Sequence, residues 1–206
     1  PSVITYSALI SACVKAGESD RALDLVEKDM PRTGVDPDRV SHNVLQDALW
    51  AGRQYGKCAA RMRKLIDAGD EAAGYDTTEG RTTALLVLAD LSPGAQCCRV
   101  LLWMDQNKDT MSKFRSVVIV TGKGLSRGAH LFAVTSMLEA LGSPFAQPPH
   151  NAGCLEAPSA AVIAWLSTLD VTSLLVDDAE HPALSEAGRV ITALPSSSIE
   201  GEASRS

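Results

Sequence analysis

Apolar residues recur at helical spacing through the first third of the chain. Leu9, Ile10 and Cys13 fall on one face of a predicted helix and Gly17 ends it. Ser19 is placed to cap the next helix, whose apolar stripe is Leu23, Val26 and Met30, and Gly34-Val35-Asp36-Pro37-Asp38 closes the unit. The pattern then repeats. Aligning Val3 with Arg39 superposes Thr5 on Ser41, Tyr6 on His42, Ser7 on Asn43, Leu9 on Leu45 and Ala12 on Ala48, and a single gap brings Gly34 onto Gly69. A period of about 35 residues is that of stacked helical hairpins, in which each unit needs a neighbour to cover its apolar face.

Beyond residue 73 the pattern changes. Gly74 to Gly80 is polar, and a linker is expected over 74–83. Ala84 to Leu88 predicts a short strand, followed by a helix with Ser92 as N-cap, Pro93 at its first position and Cys97, Val100, Leu101 and Met104 on its apolar face. The β-branched run from Val117 to Thr121 predicts a buried strand that feeds directly into Gly122-Lys123-Gly124. Ser126 is placed to cap the next helix, with Leu131, Val134, Leu138 and Leu141 on one face and Gly142-Ser143-Pro144 as its stop. A third strand over Gly153 to Ala157 and a helix carrying Val162, Trp165, Leu166 and Leu169 complete an α/β sandwich over 84–170. Val171 to Val176 is a candidate edge strand, and the acidic stretch rich in Ser, Ala and Gly from Asp177 to Ser206 is expected to be disordered, so that 171–206 reads as a tail.

With 206 residues, 45% of them hydrophobic, the chain can build one or two small domains with real cores. Its apolar runs are too short to cross a bilayer, so no membrane partner is expected. It opens on Pro1-Ser2-Val3 inside the repeat pattern, without Met, and is expected to be the C-terminal part of a longer protein. Cys13, Cys58, Cys97, Cys98 and Cys154 include no CxxC pair, which points to small buried apolar residues and away from a disulfide framework or zinc site. The net charge of −6 argues against a general nucleic-acid binder. Its distribution changes that picture, because 171–206 holds 6 acidic and 2 basic residues and so accounts for −4 of it. The body keeps two basic runs, one at Lys113, Arg115, Lys123 and Arg127, the other at Arg53, Lys57, Arg61, Arg63 and Lys64.

The strand–glycine loop–helix around Gly122, Lys123, Gly124, Ser126 and Arg127 is a phosphate-binding arrangement: glycines let backbone N–H groups approach a ligand, and a helix N-terminus favours an anion. It is not a Walker loop, since Gly124 follows Lys123 where Ser or Thr is needed, nor a dinucleotide fingerprint, since Arg127 replaces the third glycine. VTGKGLSRG is similar to the opening of short-chain dehydrogenases, but Tyr6, Tyr55 and Tyr75 all precede it and no downstream Tyr-x-x-x-Lys exists, so no nicotinamide cofactor is expected.

SVITYSALISACVKAGESDRALDLVEKDMPRTGVDPD resembles a pentatricopeptide repeat (PPR), and RVSHNVLQDALWAGRQYGKCAARMRKLIDAGDEA a more degenerate copy, giving two units over 1–73. The resemblance implies single-stranded RNA as partner, read one base per repeat by the fifth and last residues. Those map onto Ser7 with Asp38, a pair expected to prefer guanine, and onto Asn43 with Ala73, which lacks the polar last residue. Protein-binding helical repeats are the competing reading. VIVTGKG with Ser126-Arg127, LGSPF at 141–145 and N-x-G at 151–153 resemble a small MutS-related (SMR) domain, so the whole is similar to a PPR–SMR protein. That implies a role in organellar RNA processing or expression, in the chloroplast first and the mitochondrion second. The family's Leu-Asp-x-His is represented by Ala89-Asp90-Leu91-Ser92, which leaves Asp90 as a possible base or Mg2+ ligand without the histidine, and at most weak endonuclease activity. His130 is the histidine nearest the loop in sequence.

Overall fold

The computed structural model describes residues 1–77, 82–122, 127–149, 151, 153–177 and 180–193, with side chains undescribed for 127–130, 190, 192 and 193. Its first part is two helical hairpins. Helix α1 (Val3–Lys15) packs on α2 (Ser19–Asp24), which runs on through a π-helical turn (Leu25–Asp29) into α3 (Met30–Arg32). Pro31 accounts for that turn: it has no N–H for the carbonyl four residues back, and the ladder shifts to Met30 N–H donating to Leu25 O. Helices α4 (Arg39–Ala51) and α5 (Tyr55–Asp67) form the second hairpin, and α1 lies against α4.

The internal repeat survives at the level of single hydrogen bonds. Glu18 N donates to Cys13 O at 2.8 Å, and Gln54 N to Leu49 O at 2.8 Å; Val35 N donates to Met30 O, and Asp70 N to Leu65 O. The residue before each donor is left-handed: Gly17 (φ 74°), Arg53 (φ 59°), Gly34 (φ 71°) and Gly69 (φ 66°). Arg53 is thus a side chain in a glycine's place, and one of its contacts, the ion pair to Glu180 at 3.7 Å, is exposed and weak. Arg53→Gly is expected to raise stability by about 0.5–1 kcal/mol, seen as a higher urea midpoint at unchanged slope.

Two details differ from the sequence reading. The buried stripe of α1 is Tyr6, Ile10 and Cys13, whereas Leu9 faces outward at 45% exposure, because the helix turns its i, i+4, i+7 positions towards α2 and α4. Ser19 is the first residue of α2 rather than its cap; Glu18 holds the cap position and makes no side-chain bond there.

The α/β part is a four-stranded mixed sheet in the order β1-β2-β3-β4. Strand β2 (Thr83–Val87) runs parallel to β3 (Ser116–Val120), with Leu86 opposite Ile119; β1 (Tyr75–Thr77) and β4 (Cys154–Pro158) flank them antiparallel. The expected linker therefore begins with Gly74 and an edge strand. Gly74 (φ 67°) turns the chain so tightly that a Cβ would lie 2.6 Å from Val87 O. The β2–β3 crossover is α6 (Pro93–Asn107), and α7 (Arg127–Ala140) and α8 (Ser159–Leu166) follow β3 and β4. Ala84, Leu86, Val117 and Ile119 point into the core while Leu85, Val87, Val118 and Val120 are half-buried.

The C-terminal stretch is more ordered than its composition implies. Val171–Leu174 is not a strand but a helical turn, α9, because Asp170 accepts from the N–H groups of Thr172 and Ser173. Within the expected disordered tail, Pro182–Ala193 form helix α10, which buries Ala183, Leu184, Ala187 and Ile191 and packs on α7, α4 and α6. Asp177 accepts from Gly56 N (2.7 Å) and Lys57 N (3.1 Å), capping α5 from more than a hundred residues away.

One continuous apolar core runs from Tyr6 to Ile191, through Trp50, Tyr55 and Trp103. Helix α6 is its centre, packed by α4, α5, α7, α9 and α10. It stands against the second hairpin much as a third repeat would: the Ser7–Ser41 contact between α1 and α4 has its counterpart between Asn43 of α4 and Ser92 at the start of α6. Gly94 permits this approach, since a Cβ there would lie 2.8 Å from Asp47 Oδ1 and 3.0 Å from Asp47 Cα.

Candidate nucleic-acid interface

The repeat edge is built by the start of α4 and the facing turn of α1. Asp38 caps α4: its Oδ1 accepts from Ser41 N (2.8 Å) and from Ser41 Oγ (2.7 Å). Ser41 Oγ lies 3.4 Å from Ser7 Oγ, so the first pair of predicted reading residues, Ser7 and Asp38, meets through Ser41 in a short polar chain. Asp38 is exposed and Ser7 half-buried, which leaves oxygen acceptors and a hydroxyl donor available to a base edge.

The second pair is arranged differently. Asn43 Nδ2 donates to Asp90 O at 3.0 Å, and Asn43 Oδ1 accepts from Ser92 N at 3.1 Å, while Ser92 Oγ donates to Asn43 O at 3.1 Å. Both ends of the Asn43 amide are spent on the segment that opens α6. Ala73 is buried at 2% exposure. The second pair, which lacks a polar last residue, thus has its Asn43 amide, half-buried like Ser7, tied to the α/β unit, which sits where the next repeat would stand. Ser92 likewise makes no side-chain cap on its own helix, because its hydroxyl has turned to Asn43.

The glycine-loop end of the sheet adjoins this junction. Gly122, after β3, has φ 139°, a value that favours glycine, and a Cβ there would lie 3.4 Å from Ala89 O. Gly153 lies so close behind it that its own Cβ would be 2.6 Å from Gly122 O, which explains the glycine of N-x-G; Asn151 Oδ1 accepts from Gly153 N at 3.2 Å. The fully buried amide of Gln96 gathers the strand ends, donating to Leu88 O (2.8 Å), Thr121 O (2.9 Å) and Leu91 O (3.1 Å). Asp90, Gly122 and Asn151 thus lie at the carboxyl ends of the parallel pair, where open α/β sheets hold their ligands. Lys123, Gly124 and Ser126 lie outside the described residues, and Arg127 opens α7 with its side chain undescribed, as is that of His130.

Lys113 and Arg115 precede β3, at the end of the strand opposite Gly122. In the other run, Arg61 and Lys64 both donate to Glu27 Oε1 (3.1 and 3.2 Å), Lys57 pairs with Asp20, and Arg53 with Glu180. These are largely ties between the two hairpins. Arg61 also donates from Nη2 to His42 Nδ1 at 2.6 Å, which places the histidine's proton on Nε2; burial and the Arg61 charge hold His42 below the usual histidine value.

Asp90 is 62% exposed and lies 3.5 Å from Arg39. Among the described residues no three His, Cys, Asp or Glu side chains gather into a metal-binding group. The sequence reading overlooked Gln96, Asn43 and Asp47 as organisers of this region; the only sign of the last two was a pair of polar residues one helical turn apart on an otherwise apolar face of α4.

Residues 1–50 match the PPR repeat family, which covers the first hairpin and nearly all of α4. No curated protein matches the chain. The matched segment supports a PPR protein and contains the first reading pair, Ser7 and Asp38.

Proposed function

We propose that the chain binds single-stranded RNA, with the first repeat reading a base through Ser7 and Asp38 and the glycine loop after β3 holding the phosphate backbone. The observation that carries this reading is the Ser7–Ser41–Asp38 polar chain, open on the repeat edge of a segment that matches the PPR repeat family. Gly122, at the carboxyl end of β3, faces the carbonyl of Ala89, next to the Asp90 whose backbone Asn43 holds. The SMR-like assignment of 84–170 rests on the sequence motifs around Gly122 and Gly153. An organellar setting, chloroplast before mitochondrion, rests on that resemblance alone. Cleavage is at most feeble on this reading: Ser92 stands where the Leu-Asp-x-His of the SMR resemblance has its histidine, and Asp90 pairs with Arg39.

A protein-scaffold reading draws on a different observation, the burial of Ala73 and the tying of the Asn43 amide to Asp90 and Ser92. Fluorescence anisotropy separates the two. An RNA binder takes up a guanine-containing single-stranded oligoribonucleotide with affinity that falls as salt rises, and a scaffold does not. In the full chain, Lys123→Ala is expected to weaken binding to all sequences alike and to lower the salt slope by about one. Unchanged affinity and slope would remove the glycine loop from the interface.

A further inference from the structure

We propose that Arg39 is a backbone-phosphate contact on the RNA path and that Asp90 attenuates it, holding the guanidinium until a phosphate displaces the carboxylate. This inference rests on the RNA-binding reading above and concerns the seam between its two parts. Arg39 follows Asp38 directly and opens α4, so its side chain leaves the backbone beside a reading residue. One helical turn on, Asn43 fixes the backbone of Asp90 through the 3.0 Å bond to its carbonyl, and this brings Asp90 Oδ2 to 3.5 Å from Arg39 Nη1.

The exposures explain why such a pair is exchangeable. Arg39 and Asp90 are 49% and 62% exposed, whereas Arg61, pinned between Glu27 and His42, is buried at 8%. An exposed ion pair at this separation is weak. A phosphate offers the guanidinium two oxygens in a bidentate, charge-assisted contact and carries its charge on the ligand, so it competes favourably with a carboxylate held at arm's length. The same carboxylate repels an approaching phosphate. Asp90 on this account weakens RNA binding, a role opposite in sign to that of a catalytic base or metal ligand, either of which would be needed for turnover.

The experiment uses the full chain and a single-stranded, guanine-containing oligoribonucleotide, with anisotropy titrations over a salt series for the wild type, Asp90→Asn, Arg39→Ala and the double variant. Asn keeps the shape at position 90, and the bond from Asn43 is made to the backbone there; a thermal midpoint within a degree or so of wild type checks the fold. The expected result is affinity about threefold higher for Asp90→Asn at low salt, and a salt slope lower by about one for Arg39→Ala. In the Arg39→Ala background, Asp90→Asn should bring no gain. Wild-type binding with no gain from Asp90→Asn, or a gain that persists without Arg39, overturns this inference and leaves RNA binding standing. Failure of the wild type to bind at any salt overturns the RNA reading itself, and this one with it.

Discussion

Stability declines as pH rises through the mildly acidic range, and Asp47→Asn removes the decline. Asp47 is buried between α4 and the start of α6, where its Oδ1 accepts from Gly94 N at 2.7 Å. Burial pushes its carboxyl from 3.8 up to about 7, against the opposing pull of the Ser92 hydroxyl and the Gly94 N–H. In the unfolded chain the group ionises near 3.8, so between that value and about 7 the folded state holds the extra proton. The stabilisation is therefore fully present below 3.8 and is lost as pH climbs towards 7; at about 1.4 kcal/mol per pH unit the whole window is worth on the order of 4 kcal/mol. The titratable neighbours do not blur this. Burial, reinforced by Cys98 at Cys58 and by the Asp47 charge at Cys97, pushes both thiols well above their usual values, and they remain thiols throughout.

Asparagine retains the acceptor for Gly94 and has no charge to bury. Urea midpoints for the two proteins should accordingly agree in acid and diverge steadily towards neutrality, with Asp47→Asn the more stable above about pH 7. Taking the difference between the proteins removes the background of exposed carboxylates common to both. Parallel profiles would show that Asp47 is ionised in the folded protein across the range.

What could be read from the residues follows from how local each cause is. The hairpins were legible because a left-handed turn needs a glycine at a fixed offset from an apolar stripe, and Gly17, Gly34 and Gly69 stand there. Arg53 obscured the fourth such turn, since nothing in its chemistry announces a positive φ. The strand β3 was legible from its β-branched run, and β2 and β4 as short segments bounded by breakers. Helix α10 had the right spacing in Ala183, Leu184, Ala187 and Ile191, but a composition argument about acidic, small residues outweighed a pattern whose value depends on the groove between α7 and α4. The run at Val171 misled for the reverse reason: β-branching suggested a strand, and the one-residue cap at Asp170 decided for a turn of helix.

The candidate site was legible in its residues and not in their employment. Ser7 and Asn43 occupy the same repeat position, and both can donate and accept. Both are half-buried, and what each bonds to depends on what stacks next: α4 brings only the Ser41 hydroxyl to Ser7, whereas α6 brings the backbone of Asp90 and Ser92 up to Asn43. The position of α6 is a tertiary fact. It is set by a core shared between the hairpins and the sheet, with Gly94 allowing α6 to come within reach of Asp47, and no window of the sequence contains both sides of it.

That difference in employment separates stability from specificity, and Asn43→Ala tests it. Truncation leaves the Asp90 carbonyl and the Ser92 N–H without partners at the half-covered start of α6, and removes two hydrogen bonds across the seam. At about 1–1.5 kcal/mol for each, the expected loss is roughly 2–3 kcal/mol, read as a fall in urea midpoint. Base preference, measured as the ratio of affinities for guanine-containing and guanine-free oligoribonucleotides, should be unchanged. Ser7→Ala gives the mirror image. Among the described residues its one cross-helix bond is the long 3.4 Å contact to Ser41, so the stability loss is under about 1 kcal/mol, while the affinity ratio collapses towards one. Should Asn43→Ala alter the ratio while leaving the midpoint in place, the side chain is a reader after all and the bonds to Asp90 and Ser92 give way when RNA binds.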